Sequence, residues 1–206
     1  VIVFMWAKKI IAISDRKNVQ GDFLQQVENL TKYGIDALVL REKDLSACEY
    51  HDLAKEILQI CRKNNTTCIL HSFHRECLKL GHRYFHAPLP LLCEEPKLAQ
   101  YFHLVGTSIH SEEEFVEAIK YNVQYAFIGH IFQSTCKSTL KPKGLDFLNS
   151  ILQKSTIPLY AIGGIKLENI SELKNKDIAG ICMREALMKE KKVQEYLKLC
   201  RQNLNE

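Results

Sequence analysis

The sequence predicts one (β/α)8 barrel spanning residues 1–206. Three observations predict it: eight short apolar runs recur along the chain, amphipathic stretches separate them, and no linker-like segment divides the series. The runs are rich in Ile, Leu and Val and lack strict alternation, as strands buried on both faces of a parallel sheet do. The rival architecture is an open doubly wound sheet. Its usual nucleotide signatures, GxGxxG and GxxxxGK[ST], are absent.

The first strand signal is KKIIAIS (8–14). Val19, Phe23, Val27 and Leu30 follow at helical spacing, with Gly34 placed to end that helix. ALVLRE (37–42) is the second strand, and Leu53, Ile57 and Ile60 form the face of the helix behind it. TCILHS (67–72) and YFHAPL (84–89) lie close together, so 74–81 and 91–101 have room only for short helices. HLVGTSIH (103–110) leads into Phe115, Ala118 and Ile119, with Ser111 and Glu114 spaced as a capping box. YAFIGHIF (125–132) is followed, after a polar loop, by Leu145, Leu148 and Leu152. PLYAIGG (158–164) and AGICMRE (179–185) complete the strands, and Val193, Tyr196, Leu197 and Cys200 form the last helical face.

The chain carries 28 basic and 24 acidic residues, and its longest basic run is KEKK at 189–192. That excess is too small to point to nucleic acid. No stretch approaches the ~18 apolar residues of a membrane span. The opening VIVFMW has no basic segment before it and does not read as a signal peptide. The expectation is a cytoplasmic protein with no membrane or nucleic-acid partner. The eight cysteines include no CxxC pair and are expected to be reduced thiols, most of them small core hydrophobes.

Barrel chemistry gathers where strands run out at their C-terminal ends. His130 follows Gly129 within the sixth apolar run. Burial favours the neutral ring, which can take a proton from carbon and return it elsewhere. The alternative is a core histidine bonded to a backbone carbonyl. Gly163-Gly164 ends the seventh run. It suits close approach of backbone N–H groups to a phosphate, or is an ordinary tight turn. Arg184 at the next strand end adds a guanidinium. Arg41 and Lys43 stand at the same rim, as anion-facing cations or as a solvated turn partnered by Glu42 and Asp44. Lys137 shares a loop with Lys141 and Lys143. Cations converging on one mouth point to an anionic substrate. His71, His74, Cys77, His82 and His86 crowd one segment, but their spacing matches no standard zinc site.

In order along the chain, IAISDR (11–16), LREKDLS (40–46), VGTSIHSEEEFVEA (105–118), YAFIGHIFQSTCKSTLKPKG (125–144), IPLYAIGGI (157–165) and AGICMREAL (179–187) resemble the thiamine phosphate synthase and TenI family. The resemblance implies a (β/α)8 barrel and one of two chemistries. Synthases join hydroxymethylpyrimidine pyrophosphate to a thiazole phosphate, with magnesium held by aspartates in Asn-Asp after strand three and Gly-Gln-x-Asp after strand four. Here those places hold His71-Ser72 and Pro88-Leu89-Pro90-Leu91, and Val39 replaces the usual Gln. Synthases usually have proline after the strand-six glycine. The histidine of GHxF marks the TenI branch, whose members act as thiazole tautomerases without a cofactor.

The resemblance makes His130 the carrier that moves a proton from the ring carbon bearing a carboxylate to the exocyclic carbon. It places the substrate phosphate near Gly163, Gly164 and the end of strand eight, where Arg184-Glu185 replaces a usual Ser-Ala step. Ser134, Cys136 and Lys137 match the family's Thr-x-Thr-Lys; Cys136 serves proton transfer or simple packing. Arg41, Lys43, Ser108 and Lys137 match pyrophosphate-holding positions and could face a substrate carboxylate. Tautomerase, synthase and a non-catalytic regulator that binds a thiamine-related phosphate are the three functional readings. A phosphorylated thiazole is the expected partner in the first, and the family resemblance implies pairing of two copies.

Overall fold

A computed structural model describes residues 7–134 and 140–205. Eight parallel strands close into a barrel in chain order, with β1 (Lys9–Ile13) paired to both β2 (Ala37–Leu40) and β8 (Gly180–Met183). Between them run β3 (Thr67–His71), β4 (Tyr84–His86), β5 (Leu104–Ile109), β6 (Tyr125–Gly129) and β7 (Leu159–Ile162). The helices are α1 (Phe23–Lys32), α2 (Ala47–Lys63), α3 (His74–Lys79), α4 (Leu89–Glu94), α5 (Glu112–Ile119), α6 (Gly144–Leu152), α7 (Glu185–Lys189) and α8 (Val193–Asn205). The predicted fold class is the observed one.

Two apolar clusters explain why the strands read as continuous apolar runs. One lies between strands and helices and includes Ile10, Leu38, Leu70 and Ile128. The other fills the barrel interior with Ile11, Ile13, Val39, Ile69, Tyr125, Phe127 and Cys182. Successive side chains point to opposite faces of a strand, so the two clusters draw on alternate residues. Gly106 on β5 makes room inside: a Cβ there would sit 2.1 Å from the Tyr125 ring.

Several boundaries differ from the sequence expectation. Val19 lies ahead of α1, whose N-cap is Asp22. Ser111 does cap α5 through the Glu114 N–H, but the Glu114 carboxylate accepts from the His110 N–H at 2.6 Å, so the box is not reciprocal. The reciprocal capping box is at α2, between Ser46 and Glu49. After β7 a short 3-10 turn at Ile170–Leu173 stands where a regular helix would be. Among the described cysteines, 61, 68, 77, 182 and 200 are buried free thiols, while Cys48 and Cys93 are exposed. Among the described residues no helix is long and apolar enough to cross a membrane.

Candidate active site

The strands run out around a cavity of about 870 Å³. Arg41, Lys43, Ser108, His130, Ser134, Gly163, Gly164 and Arg184 all line it. Cys136 and Lys137 lie outside the described residues. His71, His86 and His110, which the sequence left unplaced, line the same space.

Strand parity explains most of this convergence. The inward face of β2 passes from Val39 to Arg41, that of β3 from Ile69 to His71, and that of β8 from Cys182 to Arg184. Parity does not explain His130. Residues 125 and 127 face inward, so residue 129 holds the next inward place and 130 would face out. The strand stops at Gly129, the Gly129–His130 peptide is cis, and His130 turns to the cavity while only 5% exposed. Its Nε2 lies 3.4 Å from the Leu140 carbonyl, a contact of the kind the core-histidine alternative foresaw.

The loop after β6 is tied to the loop after β7. Ile131 N–H donates to the Ile162 carbonyl at 2.9 Å, and Phe132 N–H to the Gly163 carbonyl at 3.0 Å. Gly163 and Gly164 adopt φ of +99° and +67°, in the left-handed region that favours glycine. A Cβ on Gly164 would meet the Gln133 carbonyl at 2.3 Å. The two glycines therefore let a backbone turn close against the segment that carries His130. His110 braces the other side: its Nδ1 donates to the Gly129 carbonyl at 2.6 Å.

At the β3 and β4 ends the cavity wall is aromatic and uncharged. The rings of His71 and His86 stack at 5.2 Å, and His86 stacks on Phe127 at 4.3 Å. His86 bonds Tyr125 through Nδ1 at 3.1 Å and Ser108 through Nε2 at 2.9 Å. Burial, then Lys43 and Arg41, push His86 down to about 3. His71 is pushed well below its ordinary range by burial, His86, Lys43 and Arg41.

The carboxylates next to Arg41 and Lys43 bond Ser14, Arg16 and Lys17, against the alternative of a solvated turn in which Glu42 and Asp44 partner the two cations. Glu42 is 3% exposed and accepts from Ser14 Oγ at 2.7 Å and Arg16 Nη1 at 3.0 Å. Asp44 takes Arg16 in a two-bond pair and Lys17 at 2.8 Å. Arg184 lines the cavity with its Nε 3.7 Å from Asp15. Among the described residues, five Lys or Arg and two Glu line the mouth, and one of these Glu, Glu185, pairs with Lys189.

Magnesium is a hard cation that takes oxygen ligands. Where the family resemblance puts its metal-binding motifs, the structure has the His71 imidazole, the Ser72 hydroxyl bonded to it at 2.6 Å, and the Pro88-Leu89-Pro90-Leu91 segment that opens α4. Among the described residues no group of three His, Cys, Asp or Glu side chains is placed to hold a metal ion. The donor set does not fit magnesium.

A closed parallel barrel whose cation-rimmed mouth faces a double-glycine turn defines a (β/α)8 protein with its polar residues gathered at the C-terminal strand ends. The chain belongs to the thiamine monophosphate synthase family, whose sequence profile matches residues 10–187. It is 31% identical over 185 residues to a thiamine-phosphate synthase of Syntrophomonas wolfei, covering 85% of this chain and 86% of that one. It is 27% identical over 205 residues to a thiamine-phosphate synthase of Fusobacterium nucleatum, covering 96% and 97%. The fold matches that of thiamine phosphate pyrophosphorylase from Pyrococcus furiosus with a TM-score of 0.82 over 95% of each chain, at 23% identity.

Proposed function

We propose that the protein is a cytoplasmic isomerase of the TenI type, which converts a carboxythiazole phosphate to its aromatic tautomer. His130 takes the proton from the ring carbon bearing the carboxylate and returns it to the exocyclic carbon. Aromatisation drives the reaction, and a placed base suffices. The phosphate rests on the Gly163–Gly164 turn with Arg184 nearby, and Arg41, Lys43 and Ser108 face the carboxylate. The observation that carries this reading is the position of His130, buried on the cavity wall against that turn.

The relatives' names favour a second reading, a transferase that makes thiamine phosphate. Nothing in those names favours an isomerase over it. His71-Ser72 and Pro88-Leu89-Pro90-Leu91 in the places of the metal-binding motifs weigh against the transferase. Two assays decide. Proton NMR in D2O follows aromatisation of the carboxythiazole phosphate, and a coupling assay with both synthase substrates and Mg²⁺ follows thiamine phosphate. Aromatisation by the wild type and its loss in His130→Asn support the isomerase. Thiamine phosphate formation without aromatisation overturns it. Sedimentation at increasing concentration tests the pairing of two copies that the resemblance implies.

A further inference from the structure

We propose that His110 is a positioning residue for His130: the Gly129 carbonyl locks its ring as the Nδ1–H tautomer, and the ring in turn holds the peptide from which His130 enters the cavity. The effect on turnover rests on the isomerase reading above. The tautomer and the placement of the His130 ring do not.

The first support is where the contact falls. The register of β5 on β6 ends at the pair Ile109 and Ile128. His110 and Gly129 are the residues that follow, so the Gly129 carbonyl lies past the last paired residues of the two strands. The His110 ring meets it there, with Nδ1 at 2.6 Å. That carbonyl belongs to the same planar peptide group as the His130 nitrogen. A bond to it therefore acts directly on the backbone that carries His130.

The second support is the chemistry of the acceptor. A carbonyl oxygen only accepts, so Nδ1 carries the hydrogen and Nε2 of the neutral ring does not. His71 and His86 on the same cavity wall differ. They bond the hydroxyls of Ser72, Ser108 and Tyr125, which can donate or accept, so those partners leave the tautomer open.

The third support is that His110 is itself held. Its N–H donates to Glu114 Oε2 at 2.6 Å, and the Glu114 N–H donates to Ser111 Oγ at 3.1 Å. The first turn of α5 thus fixes the backbone of His110, and the Gly129 carbonyl fixes its ring. Beyond His130, the Ile131 and Phe132 N–H groups bond the Ile162 and Gly163 carbonyls. The end of β6 is gripped from β5 on one side and from β7 on the other. Such a grip matters for a reacting group, because a misplacement of about 1 Å costs roughly 10²-fold in rate.

Long-range proton–nitrogen NMR on the full chain with isotope-labelled histidine tests this, with His130→Asn and His110→Leu assigning the two rings. Above the titration of its ring, wild-type His110 is expected to show a protonated Nδ1 and a bare Nε2. In His110→Leu the His130 ring resonances should shift, and kcat for aromatisation should fall roughly tenfold or more while KM stays near the wild-type value. In His110→Asn, whose amide N–H replaces the lost donor, both should return toward the wild type. A protonated Nε2 on wild-type His110 overturns the proposal without any variant. So does a folded His110→Leu whose His130 resonances and kcat match the wild type, since a merely structural bond lowers the melting temperature and moves neither. So does His110→Asn behaving as His110→Leu. Shifted His130 resonances in His110→Leu, with no aromatisation by the wild type, keep the positioning role and remove the isomerase alone.

Discussion

Gly163 abuts His130 so closely that a Cβ on the glycine would lie 2.3 Å from the His130 Cβ and 2.6 Å from its Cα. The double-glycine turn and His130, read from separate motifs, are one packed unit. Gly163→Ala must displace the His130 backbone and also bear a left-handed φ. The expected cost is about 1–3 kcal/mol of overpacking, with strain at that φ in addition. Thermal unfolding reads the stability, and turnover should fall further than partial unfolding explains. A variant as stable and active as the wild type would show that the contact positions nothing.

His130→Asn removes the proposed proton carrier and keeps a polar side chain. The aromatisation rate should fall by about 10²–10⁴-fold, the usual worth of a placed general base. The circular dichroism spectrum should stay unchanged. A wild-type rate in this variant would refute the proposed chemistry.

Glu42→Ala leaves the buried Ser14 hydroxyl without its acceptor and takes one carboxylate from Arg16. A loss of about 2–3 kcal/mol in urea unfolding is expected, the cost of orphaning buried polar groups. Because the Arg41 N–H depends on Ser14, KM should rise more than kcat falls. Equal effects on both would make Glu42 purely structural.

Stability should fall on acidification. The unfolded chain protonates His86 near its ordinary 6.5, whereas the folded protein holds it down to about 3. Between those values the unfolded state binds more protons, so stability is full above about pH 6.5 and declines below it. The slope approaches about 1.4 kcal/mol per pH unit for one such group. His71, shifted the same way, steepens it. Urea midpoints at a series of pH values from neutral downward check this, and His86→Gln should flatten the decline.

Ser46→Ala removes the N-cap of α2, the helix that follows the Arg41–Lys43 loop. A loss of about 1 kcal/mol is expected in urea unfolding. Restoration by Ser46→Asp would identify the cap as the cause.

Much of this was legible in one dimension. The apolar runs marked all eight strands, because a strand covered on both faces needs apolar residues at nearly every position. The polar residues ending those runs marked the cavity, because inward parity carries on past the last apolar side chain to Arg41, His71 and Arg184. The Ser46-x-x-Glu49 spacing is the local signature of the reciprocal box that starts α2. The partners of Glu42 and Asp44 were not legible. Proximity in sequence suggested Arg41 and Lys43, whereas the closed barrel brings Arg16 from the neighbouring strand's loop.

The sequence by itself determined the barrel, the family and the residues at its mouth, since these follow from local periodicity and short motifs. Only the tertiary structure decided that His130 faces inward, that Gly163 packs against it, and that His71 stacks on His86. The physical reason is that side-chain direction is set by parity only while the strand lasts. Once the chain leaves the strand, contacts between loops far apart in sequence take over, and no local pattern encodes them.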